Sequence, residues 1–388
     1  MSRARVIAIS AIGVVAVLVA GGLAWSLTGA GRTGSPSTDS QTTQSTEPGV
    51  DPDGDPTRTA EELGDEFLAD WVDDGRVVRR DQGDDTVSEG QAYGLLVAVG
   101  VSDETAFDSI LDWTDENLVG SDGLMAWQWK DGEIVDDEPA SDADLDVARA
   151  LVLAGTEFGR PDLTERGNAL AGIVLDTMTV QTAAGRILLP GQWAAAMQPY
   201  AYNPSYASPA AFAQLGASTG DPRWAELAAG SAAVTTAILD QTELPPDWAQ
   251  VHPDGRVEPM PGPVGEGIDV RYSYDAARLP LRYAESCDAA DVALAARLTS
   301  TLERESTLRS ELDLGGGALA EAQHPLAYGA RAAALVSSGD ADGARADLRE
   351  SVATLDRSPT YYGAAWAALA PLMLGSDTLG SCAPLGAA

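Results

Sequence analysis

Apolar residues recur along most of this chain at helical spacing. Leu63, Phe67 and Trp71 lie four apart; Tyr93, Leu96, Val97 and Gly100 share one stripe; Leu145, Ala148, Leu151, Val152 and Phe158 form another. Segments of the same kind run through 163–178, 208–216, 224–239, 276–284, 290–302, 325–336, 341–355 and 361–374. Strand-like alternation is scarce, short pieces such as Arg186–Leu189 apart. About a dozen helices in succession, separated by loops with Pro, Gly and Asp, fit antiparallel helix pairs closed into a toroid. An open α-solenoid is the alternative, but no fixed-period repeat marks one.

The pattern breaks at the N-terminus. Arg3 and Arg5 precede an uncharged apolar run from Val6 to about Leu27. At roughly 20 residues it is long enough for a bilayer core, so residues 1–30 read as a membrane anchor or a cleaved signal, with Leu27-Thr28-Gly29-Ala30 as a small-residue cleavage site. In both readings the arginines stay cytoplasmic and the remainder is exported. Residues 31–57 switch to Ser, Thr, Gln, Pro, Gly and Asp, a composition that builds no core and reads as a disordered linker. The folded domain is then 58–388.

Composition narrows the partners. An apolar content of 45% over 388 residues supports a globular domain, and the abundance of Gly and Ala beside only 4 Phe suggests helices packed closely through small side chains. A formal charge of −35 argues against nucleic acid and against an anionic membrane surface, and suits a neutral or cationic substrate. With 2 histidines and no Cys/His cluster, neither a metal site nor a cofactor is expected. Cys287 and Cys382, far apart in sequence, would close a long loop as a disulfide in an exported protein; two buried free thiols are the other reading.

Three stretches carry chemistry. In Asp85-Thr86-Val87-Ser88-Glu89-Gly90-Gln91-Ala92-Tyr93-Gly94-Leu95, a carboxyl opens an apolar helix, with Ser88 placed as N-cap and Gly90 and Gly94 leaving room for close approach to the backbone. Partly desolvated between Gly, Gln and Tyr, Glu89 suits a general acid, although the helix N-terminus favours its ionised form. In Ala140-Ser141-Asp142-Ala143-Asp144-Leu145-Asp146-Val147-Ala148, three acids at alternate positions cannot share one direction in a helix and so serve different tasks. In Tyr272-Ser273-Tyr274-Asp275-Ala276-Ala277-Arg278, the arginine three residues on can hold Asp275 ionised. A capped acidic first turn, a loop for a hard cation and an ordinary surface pair are the bland readings of the three.

The first two stretches resemble the signatures of glycoside hydrolase family 8, bacterial inverting enzymes that include endoglucanases, lichenases, xylanases and chitosanases. Ala92, Leu95 and Val147 depart conservatively from its pattern. The third resembles the family's Tyr-Asp-Ala-x-Arg segment, while Tyr202-Asn203-Pro204-Ser205-Tyr206 and Pro245-Pro246-Asp247-Trp248 are similar to further ones. The resemblance implies an all-α fold, an (α/α)6 barrel, with Glu89 as proton donor, Asp275 as the base that activates water, and Asp142 against the distorted sugar ring, where its charge would raise the pKa of Glu89. It places Tyr206 near the attacking water. Tyr93, Arg278 and Asp144 join the sugar-binding candidates, the role of Asp144 left open. Trp127 and Trp129 can offer flat apolar faces to pyranose rings, and the pair Tyr361-Tyr362 has similar standing. The implied activity is an endo-acting β-1,4-glucanase working as a monomer on an extracytoplasmic polysaccharide. Chitosan is the alternative substrate, attracted by the negative charge, and a toroid that binds cell-wall glycan without cleaving it is the rival from another class.

Overall fold

The computed structural model describes residues 58–386, apart from Ile268 and Ser381; the apolar run Val6–Leu27 and the linker lie outside the described residues. Among the described residues no helix is long and apolar enough to cross a membrane.

Among the described residues thirteen α-helices follow one another: α1 Ala60–Trp71, α2 Ser88–Gly100, α3 Glu104–Asn117, α4 Ser141–Glu157, α5 Pro161–Thr177, α6 Pro209–Thr219, α7 Arg223–Leu239, α8 Leu279–Ala284, α9 Ala289–Ala296, α10 Thr299–Leu302, α11 Pro325–Ser337, α12 Ala341–Arg357 and α13 Tyr361–Gly375. The helices α2, α4, α6, α8, α11 and α13 contact one another in that order, and α13 returns to α2, which closes the ring. The intervening helices pack outside it, α3 on α2, α5 on α4, α7 on α6, α9 on α8, α12 on α11 and α1 on α13. This is the expected helical toroid.

Burial follows position in the ring. In α2 and α13 nearly every side chain is buried, so both are apolar all round, whereas α12 fully buries only Ala344, Asp347, Ser351 and Thr354, with Leu348, Val352 and Leu355 half-buried against the core. The helix α3 had no place among the expected segments. It carries few apolar residues among many acids, yet its Phe107, Ile110 and Leu111 fall on one buried stripe. The expected helix at 290–302 is broken into α9 and α10, and the one at 276–284 begins as a 3-10 turn, Ala276–Arg278.

The strands are short and serve the ends of the inner helices. Thr86–Val87 pairs antiparallel with Gln128–Lys130, which pairs in turn with Glu133–Asp136. Tyr200–Tyr202 and Val257–Pro259 flank Ala249–Val251 in a second three-stranded sheet, and Gly185–Leu188, where the alternation at 186–189 was noted, forms a hairpin with Thr179–Thr182. The first sheet leads into Glu89; the second leads into the turn Pro204–Tyr206 and sets Tyr202 opposite Ala249, the neighbour of Trp248.

Opposite the strand-bearing rim, Cys287 and Cys382 are joined in a disulfide with Cα atoms 6.1 Å apart, tying the C-terminal tail to the end of α8.

Candidate active site

The acids reach one rim because the inner helices that carry them start there. Thr86–Val87 runs from its strand directly into α2, so Val87, not Ser88, occupies the cap position, and it has no side chain to offer. The Ser88 N–H donates instead to the Trp127 carbonyl at 2.9 Å. Likewise α4 starts without a side-chain cap, and the Ser141 N–H donates to the Pro190 carbonyl at 3.0 Å. Carbonyls of neighbouring loops thus replace the cap expected of Ser88. The glycines too serve packing: a Cβ on Gly90 would stand 2.9 Å from the Tyr361 hydroxyl, and one on Gly94 2.9 Å from Val77. Both let inner helix α2 touch its neighbours. Gln91 between them is a buried staple, accepting from the Val77 N–H at 2.6 Å and donating to Thr114 at 2.8 Å.

Arg278 is the hub. Its Nη1 donates to Glu89, to the Tyr93 hydroxyl at 2.9 Å and to Asp142 at 3.0 Å, while Nη2 donates to Asp275 at 2.6 Å. The guanidinium also lies over the Tyr206 ring, 5.3 Å from its centroid. Its side chain is only 1% exposed, against 25% for Glu89 and 33% for Asp275. The cation is sealed behind the carboxyls, of which Glu89 and Asp275 reach solvent at the rim while Asp142 stays buried.

Three carboxyls around one cation leave an excess of negative charge, and the protein answers with protons. Burial, then the neighbouring Glu89, push the Asp142 carboxyl up to about 8 against the pull of Arg278. Asp275 is pushed up to about 7, by burial first; Arg278 lowers it, and Asp247 and Glu89 raise it. Tyr206 is likewise pushed well above the ordinary phenol range by burial and by Asp142 and Asp275.

The three alternating acids do separate into three tasks. Asp142 joins the hub, Asp146 pairs with Arg282 through both carboxylate oxygens, and Asp144 accepts from the Met125 N–H at 3.0 Å. Asp144 is fully buried, so it holds the 124–127 loop and does not line the groove as expected. Tyr93 is corrected in the same way. Its ring is buried against Tyr362 and Trp366, and its hydroxyl donates to Glu89 at 2.7 Å, so it orients the acid from behind.

Of the two tryptophans, Trp129 packs its ring against Trp113 at 5.4 Å and lies under Arg76 at 5.0 Å. Trp127 is half-buried and immediately beside the turn that bears Glu89. Tyr206 stands edge-on to Trp248 at 6.1 Å. Other aromatics at the rim had no assigned role in the sequence: Tyr274 packs on His324 and Tyr362, and the Tyr362 hydroxyl donates to the Tyr274 carbonyl at 3.0 Å. His324 caps α11 through its Nδ1, and burial holds it down to about 4, which keeps it neutral. Only the pair Tyr361-Tyr362 had been noted, and of the two it is Tyr362 that faces the hub.

Known proteins resemble this chain in sequence and in architecture. Residues 64–374 match the family model described as glycosyl hydrolases family 8. A probable endoglucanase of Novacetimonas hansenii is 32% identical over 316 residues, 79% of this chain and 87% of that protein. The structure of an endo-β-1,4-glucanase from Acetobacter xylinum superposes with a TM-score of 0.69 at 29% identity, covering 81% of this chain and 97% of the other. A β-1,3-1,4-glucanase from Paenibacillus shares the fold, with a TM-score of 0.72 at 20% identity over 80% of this chain and 89% of its own. With four-fifths of its length under one family model, and its acids gathered at the rim where the motif-bearing helices begin, the chain belongs to glycosyl hydrolases family 8 and is a glycosidase.

Proposed function

We propose that the chain is an extracytoplasmic endo-β-1,4-glucanase that hydrolyses its substrate with inversion. Three carboxyls, from α2, from α4 and from the turn that leads into α8, meet at one sealed guanidinium, two of them reaching solvent, and this observation carries the reading. Glu89, oriented by Tyr93 and Arg278, gives its proton to the glycosidic oxygen as the bond to the anomeric carbon breaks. Asp275 takes a proton from the water that attacks that carbon from the opposite face. Asp142, which keeps its proton at neutral pH, donates a hydrogen bond to the distorted ring. Tyr206 flanks the water, and Trp127 offers the sugar an apolar face.

Arg278 has a double part. It keeps Glu89 and Asp275 on different amino groups, so that acid and base are held apart on one rigid group. Inverting pairs stand roughly 6.5–9.5 Å apart, retaining pairs about 5–5.5 Å. On the inverting reading the first product from a β-linked glucan is the α-anomer, read by proton NMR of the early hydrolysate. The β-anomer appearing first would remove Asp275 as base.

The glucan itself rests on the endoglucanases among the relatives. Chitosan is the second reading, since a charge of −35 draws a polycation. Reducing-sugar release compared across carboxymethylcellulose, lichenan, xylan and chitosan decides between them. Export is supported by the Arg3–Leu27 pattern and by the Cys287–Cys382 bridge, and cell fractionation tests it. We expect the enzyme to act as a monomer.

A further inference from the structure

Asp275 occupies the cap position of the 276–278 turn, where an aspartate ordinarily spends its carboxyl on the first free backbone N–H groups. Here it makes no such bond. Its oxygen goes to Arg278, and the free N–H of Ala276 is taken by Asp247, at 2.9 Å. The same Asp247 oxygen accepts from the Ser273 N–H at 2.8 Å, and its second oxygen accepts from the Ser273 hydroxyl. The Asp247 N–H donates in turn to the Arg271 carbonyl at 2.8 Å. Residues on both sides of Asp275 are therefore fastened to one side chain of another loop.

We propose that Asp247 is a positioning residue for Asp275, capping the 276–278 turn in its place so that the Asp275 carboxyl is free to face the groove. This rests on the assignment of Asp275 as the base that activates water. An ion pair with Arg278 alone would fix the Asp275 oxygen but not the backbone that carries it. A base displaced by about 1 Å forfeits on the order of a hundredfold in rate.

Asp247 also acts through charge. The groups facing Asp275 are Arg278 from the same turn, Glu89 from α2, Asp142 from α4, the Asn203 amide, the phenols of Tyr206 and Tyr362, and Asp247. Among them Asp247 is a carboxylate that repels the ionised base, so its neutralisation lowers the pH at which Asp275 ionises.

The test is Asp247→Asn in the full chain, assayed on carboxymethylcellulose across pH. The amide keeps the outline but puts two donors where one oxygen received the Ser273 hydroxyl. We expect kcat to fall roughly 10- to 100-fold with KM within about twofold, and the acid limb of kcat to move to lower pH. Wild-type kcat, or a loss of thermal stability with kcat and the acid limb unmoved, overturns the proposal. Should Asp247→Asn fail to fold, Ser273→Ala decides. It deletes only the hydroxyl contact, so a fall of about threefold or more in kcat at constant KM supports the role, and wild-type kcat rejects it. Asp275→Asn is the control for the underlying assignment: if that variant turns over normally, the base lies elsewhere whatever Asp247 does.

Discussion

Two arginines deep in the same barrel hold carboxylates in opposite ways. Between α4 and the run Asp275–Glu285 there are three ion pairs one below another: Asp142 with Arg278 at the rim, Asp146 with Arg282 below it, and Arg149 with Glu285 at the base. On α4 they are spaced four and then three residues apart, so the base lies about 10 Å beneath the rim. At the base, Arg149 meets one carboxylate through two bonds, at 3.0 and 2.7 Å, and donates also to Gln214 and to the Leu379 carbonyl. Both partners are fully enclosed, and the tail that supplies Leu379 is held by the disulfide. At the rim, Arg278 faces three carboxylates and matches only one charge. The closed pair has nothing left to offer a ligand; the open cluster has spare acceptor oxygens and movable protons. What separates scaffold from active site here is the ratio of acids to cations and the side on which water enters.

The largest effect is expected at the rim. Glu89→Gln keeps the shape and can accept from Arg278 and Tyr93, but has no proton to give. Turnover of an unactivated glucan should fall by about a thousandfold or more, while binding of the same glucan, measured by calorimetry, survives. Retention of more than a small fraction of the rate would place the acid elsewhere. At the base the order of effects inverts. Glu285→Gln strips Arg149 of its charge partner in a sealed site, so urea unfolding should register a loss of about 3–5 kcal/mol. Its pH–rate profile should match wild type in shape, because nothing at the base exchanges a proton during turnover.

The contrast explains which parts of the molecule were legible from sequence. Glu89 could be singled out as an acid opening an apolar helix, whereas Asp142, Asp275 and Arg278 stood out chiefly through the family resemblance of their stretches, and the structure brings all four together. The division of labour among Asp142, Asp144 and Asp146 followed from helix geometry, but not which of them met the groove, since that depends on the Met125 loop. Ser88 misled because a strand enters the helix directly, and Gly90 and Gly94 because close approach to Tyr361 and Val77 looks, in sequence, like close approach to a ligand. Asp247 stood in a family-like segment but its role was not legible: apart from the Ser273 hydroxyl its partners are backbone groups of a distant loop, which carry no residue signal. The whole base went unread for the same reason, since Arg149 and Glu285 meet only once the ring has closed.

A smaller effect, visible only on changing pH, concerns Asp142. Its folded-state pKa of about 8 lies above its ordinary value, so between the two the folded protein holds a proton that the unfolded chain has released. Stability from this group is complete at low pH and drains away as pH rises toward 8. Asp142→Asn carries no such proton. It should melt with wild type at acidic pH and above it at pH 8, while losing activity. A wild-type protein that melts higher than the variant at pH 8 would mean that Asp142 is ionised there and well paired.

The smallest effect tests whether three acids around an arginine mean anything by themselves. Arg160 has the same count as Arg278: Asp108 at 2.8 Å, Asp162 at 3.3 Å and Glu104 at 3.5 Å. It differs in being 31% exposed, with partners 45–67% exposed, so water and salt screen every contact, and no groove collects the oxygens. Its charge partners raise its own pKa, yet a guanidinium is always protonated at working pH, so that shift yields nothing. Exposed pairs of this kind contribute about 0–1 kcal/mol each. Arg160→Ala should therefore leave kcat, KM and the pH profile at wild-type values and move the urea midpoint slightly at most, less again in 0.5 M salt, a condition set by roughly a threefold excess over physiological ionic strength. A loss of activity in this variant would mean that clustered acids on an arginine matter wherever they occur, and the distinction between the sealed hub and its surface counterpart would fail.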